Sequence, residues 1–211
     1  MADGFTAMPL EVLVRFGKWD EVLAAPEPAE YLPIARALWR CARGVAYAAK
    51  GDVAKARAEQ KGFLEAKSRV PEEAVFGNNL GRDLMEIAEH LLAGEILYRA
   101  GQTNEALSEL RQAVVAEDKL RYAEPPDWLI PTRHALGATL LDAGMPAEAE
   151  GVYRADLEKL PENGWALFGL AKSLSLQGKR AEAAEIQKRF ERVWQDADVN
   201  ISSSCFCLPG K

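Results

Sequence analysis

The chain has 211 residues, a formal net charge of -6 and a pI near 5.2; 48% of its residues are hydrophobic and 27% charged. That composition belongs to a globular chain rather than a disordered one, and its acidity argues against nucleic acid, whose phosphates need a Lys and Arg surplus. No run reaches the roughly 18 to 20 apolar residues that span a bilayer, and the segment from Met1 to Glu21 lacks the basic start of a signal peptide, so no membrane partner and a cytoplasmic location are expected.

Helical periodicity, punctuated by glycine and proline, places ten helices in chain order: 9–16, 19–25, 31–50, 53–69, 82–100, 103–121, 130–143, 146–159, 164–177 and 180–196. Pro26, Pro28, Pro71 and Pro161 mark boundaries between them. Over residues 178–192 Lys179, Arg180, Lys188, Arg189 and Arg192 are interleaved with Glu182, Glu185 and Glu191. That spacing describes a solvated face of i,i+3 and i,i+4 pairs, not a phosphate track. From Asp198 the tail has no helical period. Three cysteines, Cys41, Cys205 and Cys207, are too few and too uneven for a disulfide framework and suit a reducing compartment.

Five segments share one local pattern, beginning at Gly17, Gly51, Gly101, Gly144 and Gly178. Five residues after each glycine stands a small or branched apolar residue: Val22, Ala56, Ala106, Ala149 or Ala183. Another small residue often lies seven before it, as with Gly44, Gly94, Gly137 and Ala171. A glycine just past a helix end closes the last turn in the left-handed conformation, and small residues on both helices let them approach closely. The stretches AEHLLAGEILYRAGQTNEALSELRQAV and TRHALGATLLDAGMPAEAEGVYRADLEKLP carry the pattern most fully. They resemble the tetratricopeptide repeat (TPR) family, a 34-residue helix–turn–helix unit, in a divergent bacterial-type form. The family's tryptophan position holds Arg40, His90, Arg133 and Leu167.

The resemblance implies an all-α, right-handed α-solenoid of about five units over residues 1–197, near 3–36, 37–70, 87–120, 130–163 and 164–197, followed by a non-helical tail, 198–211. The first unit is the weakest, with few helical residues before Gly17. The spacings between the glycines are 34, 50, 43 and 34 residues, so the connections on either side of the third repeat are enlarged. In such a solenoid both insertions, 70–86 and 119–129, fall on one rim and form one lobe. Within the second, EPPDW (residues 124–128) ends a helix expected to overrun to Leu120 or Tyr122, because adjacent prolines cannot continue it. Trp128 is expected to anchor this loop. The alternative use of the lobe is a recognition patch of Asn78, Asn79, Arg82, Tyr122, Glu124 and Trp128.

The family geometry also implies a concave groove, with Leu38, Cys41, Val45, Leu91, Glu95, Tyr98, His134, Ala138, Leu141, Trp165, Phe168 and Lys172 on its wall. The lysine, asparagine and arginine clamp that some members use for a peptide carboxylate is absent from the corresponding positions. No catalytic or nucleotide-binding fingerprint occurs, so an enzyme is not expected, nor is a cofactor. The leading expectation is a module that binds a protein or peptide through Leu91, Glu95, Tyr98, His134, Leu141, Trp165, Phe168 and Lys172 or through the lobe. The second is a metal- or small-molecule-binding repeat protein that uses Glu95 with His134 and the tail pair Cys205 and Cys207. Repeat arrays need polar caps, and none follows Asp198. A homodimer or a piece of a longer repeat protein is therefore expected.

Overall fold

Five glycines with positive φ, Gly17, Gly51, Gly101, Gly144 and Gly178, each end one helix and start the next. The computed structural model describes residues 3–205. Around Gly51, Asp52 N–H donates to Tyr47 O at 2.9 Å and Gly51 N–H to Ala48 O at 2.8 Å. The same paired closure recurs at the other four corners, from Lys18 to Leu13, Gln102 to Leu97, Met145 to Leu140 and Lys179 to Leu174. These are Schellman turns, which satisfy carbonyls that the helix end would leave bare. At Gly51, Gly101, Gly144 and Gly178 an added Cβ would meet nothing within 4 Å. Glycine is needed there for its backbone conformation, not for space.

The fold is an all-α repeat fold, and the chain divides into two compact units, residues 1–132 and 133–211. The first holds α1 (Met8–Arg15), α2 (Trp19–Ala24), α3 (Pro33–Ala49), α4 (Val53–Lys67), α5 (Gly81–Arg99) and α6 (Thr103–Glu117). A two-rung antiparallel ribbon, β1 (Val75–Phe76) with β2 (Asn79–Leu80), lies in the enlarged connection before α5. Ala56 and Ala106 are fully buried, as helices in close contact require, and Phe63, Phe76, Met85, Leu92 and Ile96 fill the core. Between α3 and α4 the buried Glu59 accepts from Arg40 at 2.9 Å and Arg43 at 2.8 Å, so a carboxylate is paired twice where desolvation would otherwise penalise it. The N-terminus of α3 is capped from a distance: Asp3 accepts from Ile34 N–H at 2.8 Å and Ala35 N–H at 3.0 Å.

The third repeat's second helix does not overrun. It stops at Glu117, and the chain leaves through turns at Lys119 and Leu120, because Arg121 N–H is drawn to Asn79 Oδ1 at 2.7 Å.

The second unit holds α7 (Thr132–Asp142), α8 (Pro146–Lys159), α9 (Gly164–Leu176) and α10 (Arg180–Trp194). Tyr153 of α8 is its wedge. Its ring lies between Gly169 and Gly137, where an added Cβ would come within 2.2 Å and 2.4 Å of it. The phenol donates to Ser204 Oγ at 2.6 Å, since the Ser204 proton is used on His134 O at 2.9 Å. The described part of the tail is thus pinned, with Ser204 buried. Asn163 caps α9 by accepting from Trp165 N–H at 3.0 Å. In α10 no residue is buried.

Gly169→Ala forces a methyl group into the Tyr153 ring. It is expected to lower the unfolding free energy by about 1–3 kcal/mol in urea titrations; unchanged stability would mean that the wedge is loose.

Candidate functional site

Residues of the two insertions in unit 1 are sewn into one lobe. After Pro125, whose bond to Glu124 is cis, the chain buries the Asp127 carboxylate, which accepts from Asn78 N–H at 2.9 Å and Asn79 Nδ2 at 2.7 Å. Asn79 also spans to Arg121 O at 3.1 Å, and Asn78 Nδ2 donates to Tyr122 O at 2.8 Å. Trp128, 8% exposed, joins the apolar cluster that contains Phe76 and Met85. Asn79 and Trp128 are therefore structural staples rather than presented groups, and the Asn78 amide is already engaged. Exposed on the lobe are Arg82, which lies 3.8 Å from Asp83, and Tyr122, whose hydroxyl donates to Glu124. That bond holds the Tyr122 hydroxyl's pKa above its ordinary value. Trp128→Ala should cost about 3–5 kcal/mol of stability, measured by denaturant midpoint; a loss below about 1 kcal/mol would make the indole dispensable to the fold.

The wall expected on unit 1 is covered. Leu38, Cys41 and Val45 are buried in one cluster with Ala7, which precedes α1, and with Trp128; Val14 of α1 and Leu91 pack against it. Tyr98 is half-buried, and Glu95 is only 2% exposed. Glu11 of α1 accepts from Leu129 N–H at 3.3 Å, across 118 residues of sequence. Burial pushes the carboxyls of both Glu11 and Glu95 up to about 7, the Leu129 bond and Arg99 respectively opposing it. Cys41 is pushed up to about 12 by burial and by the charges of Glu11 and Glu95, and its thiol donates to Ala88 O at 3.6 Å. It is an inert thiol at neutral pH, not a ligand or nucleophile.

A carboxyl whose folded pKa is raised favours folding most below its unfolded pKa, near 4.5, and loses that advantage as pH climbs through 7. Glu95→Gln removes this loss. The variant's stability relative to the natural chain should rise between pH 5 and pH 8 by roughly 2–3 kcal/mol, read from melts at the two pH values. A pH-independent difference would contradict the assignment.

In unit 2 the predicted residues separate by accessibility. His134 is fully buried, and its Nε2 lies 3.0 Å from Asp156 Oδ2, also buried. The ring is held inside its own unit, which corrects the expectation of a groove histidine open to a ligand beside Glu95. Trp165, too, is covered: its ring meets Trp194 edge-on at 5.5 Å. Phe168 meets Phe190 edge-on at the same separation, and Phe190 stacks on Trp194. Leu141 is half-buried. Phe168 and Lys172, however, edge an open cleft of about 480 Å³, with Leu176 on α9 and Ala183, Ala184 and Gln187 on α10. Leu176 is 59% exposed. Cys205 is disulfide-bonded, which removes it as a thiolate ligand, and Cys207 lies outside the described residues. Among the described residues no group of three His, Cys, Asp or Glu side chains is arranged to hold a metal.

Asp156, Glu11 and Ser204 were not singled out from the sequence. Only Asp156 had a usable signal, three residues after Tyr153 on the inner face of α8.

The tetratricopeptide repeat family profile matches residues 130–155 and 164–186, that is, α7 with most of α8 and α9 with the start of α10. The fold is similar to that of a Podosopora anserina protein of the kinesin light chain type with nearly identical TPR-like repeats. That likeness has a TM-score of 0.54 and 17% identity over 92% of this chain and 96% of that one. MamA protein is also similar, with a TM-score of 0.51 and 14% identity over 95% of this chain and 98% of that one. No curated protein matches the sequence. Residues 130–155 and 164–186 thus match tetratricopeptide repeats, within an all-α repeat fold. No helix among the described residues is long and apolar enough to cross a membrane.

Proposed function

We propose that this chain is a non-enzymatic scaffold that binds a segment of another protein in the cleft between α9 and α10. The observation that carries the reading is the cleft itself. It combines an exposed leucine, Leu176, and the Phe168 ring with a lysine, Lys172, that makes no ion pair among the described residues. Elsewhere on the unit Lys179, Arg154, Lys188, Arg189 and Arg192 are all paired with glutamates. An apolar patch beside an unpaired charge is a surface prepared for a partner. The covered wall of unit 1, the His134–Asp156 pair and the bonded Cys205 leave the metal-binding reading without accessible ligands among the described residues.

Selection of a displayed random-peptide library on the purified chain tests this reading. Peptides recovered on the natural chain should lose at least tenfold in affinity on Leu176→Glu and keep it on Arg82→Ala, with circular dichroism unchanged for both. Recovered peptides indifferent to Leu176→Glu would place the binding surface elsewhere.

A further inference from the structure

We propose that the occupant of this cleft is a single amphipathic helix of a partner protein, carrying an apolar stripe and a carboxylate-rich end that lies over Lys172 and Arg180. The inference rests on the reading of the α9–α10 cleft as the binding surface and names what that surface selects.

The cleft runs between two antiparallel helices whose main-chain groups, away from the helix ends, are spent within the helices. Its walls are mostly apolar, with Phe168, Leu176, Ala183 and Ala184 facing the opening. An extended peptide laid there would bring its own N–H and C=O groups against carbon. Each group left unpaired by that burial costs about 1–3 kcal/mol. Within its middle turns a helix satisfies its backbone internally and offers only side chains, so this floor admits it without that penalty. The length agrees: Phe168 to Leu176 spans about 12 Å of helix, a little over two turns, room for an i, i+3, i+4, i+7 set of apolar anchors.

Charge gives the helix a direction. Arg180 stands at i-3 and i-4 from Ala183 and Ala184, hence on the face of α10 that lines the cleft. Like Lys172, it is exposed and makes no ion pair among the described residues. Arg180 lies at the Leu176 end of the cleft, and Lys172 stands midway between Phe168 and Leu176. At the opposite end of the same face Glu191 accepts from Gln187 at 3.0 Å. A helix with carboxylates at one end is attracted by these two cations and avoids Glu191 when those carboxylates lie beside Leu176.

Three fluorescein-labelled 14-residue peptides test this by anisotropy with the full chain. The first is a helix former with leucines at i, i+3, i+4 and i+7 and three glutamates in its first turn. The second has two central prolines in the same composition, and the third has lysines for the glutamates. The acidic helix should bind at least tenfold more tightly than either other peptide. Leu176→Glu should weaken it about tenfold, and Lys172→Glu should weaken it while improving the lysine peptide. Equal binding of the proline peptide, still sensitive to Leu176→Glu, would overturn the helix and leave the cleft reading standing. Binding insensitive to Leu176→Glu, or no binding at all, would overturn the proposal, and the former would remove the cleft as well. Sedimentation showing self-association that Leu176→Glu abolishes would make a second copy the occupant and overturn the partner helix.

Discussion

Each hairpin of this protein depends on one backbone demand, a residue that can hold positive φ directly after the first helix. The Schellman closure at that residue fixes where the chain leaves and where the second helix begins. It thereby sets the register in which the two helices meet. Counted from the glycine, the fifth residue then falls on the contact line, and the chain places Val22, Ala56, Ala106 and Ala149 there, all fully buried. A local torsion is thus converted into a packing register, and the packing register into a core. Ala183 is the exception that fits the rule: it stands at the same step of the last hairpin but is only half-buried, because it also borders the open cleft.

The helices were legible because this demand is local and repeats. Glycine, the small residue after it and the helical period between lie within one turn-and-a-half of each other, so a single sequence displays them. The lobe was legible as a place, from the excess spacing, but not in its chemistry. Asn79 reads as a surface amide until Arg121 and Asp127 arrive, 42 and 48 residues later. The overrun expected for α6 failed for the same reason: periodicity continued past Glu117, but the amide of Arg121 had a better acceptor outside the helix. Asp3 on α3, Glu11 on Leu129 and Ser204 on Tyr153 are also long-range bonds made by residues with no periodic signature. Family geometry implies an open face for Leu38, Cys41 and Val45, but they are buried in one cluster with Ala7 and Trp128, against which Val14 packs.

The buried polar groups divide by how they are compensated. Asp127 with its asparagines, Glu59 with two arginines, His134 with Asp156 and Tyr153 with Ser204 have partners whose geometry is met by one arrangement only. Such groups select among alternative packings, since any slip leaves a charge or hydroxyl unpaired in the interior. Glu11 and Glu95 are different. Each keeps one oxygen buried without a hydrogen-bond donor among the described residues, and desolvation raises both. They detract from stability at neutral pH while the satisfied groups hold the fold in place.

Charge pairing separates a finished surface from an open one. On a finished surface, charges answer one another: Glu150 holds Arg154 and Lys179, and is kept near a pKa of about 2 chiefly by the Lys179 bond; Glu162 holds Arg189 and Arg192. These pairs occupy the edges of unit 2 where neighbouring elements of the chain already meet. Beside Leu176 the pattern lapses: Lys172 lines the apolar cleft and Arg180 stands one turn before Ala183 and Ala184, with nothing among the described residues to answer either charge. Solvated single charges are ordinary on a helix, and so are single exposed leucines. Their coincidence along a cleft floored by alanines is a stronger constraint, because whatever covers the carbon must also answer both charges. An acidic, internally hydrogen-bonded segment meets the two requirements together.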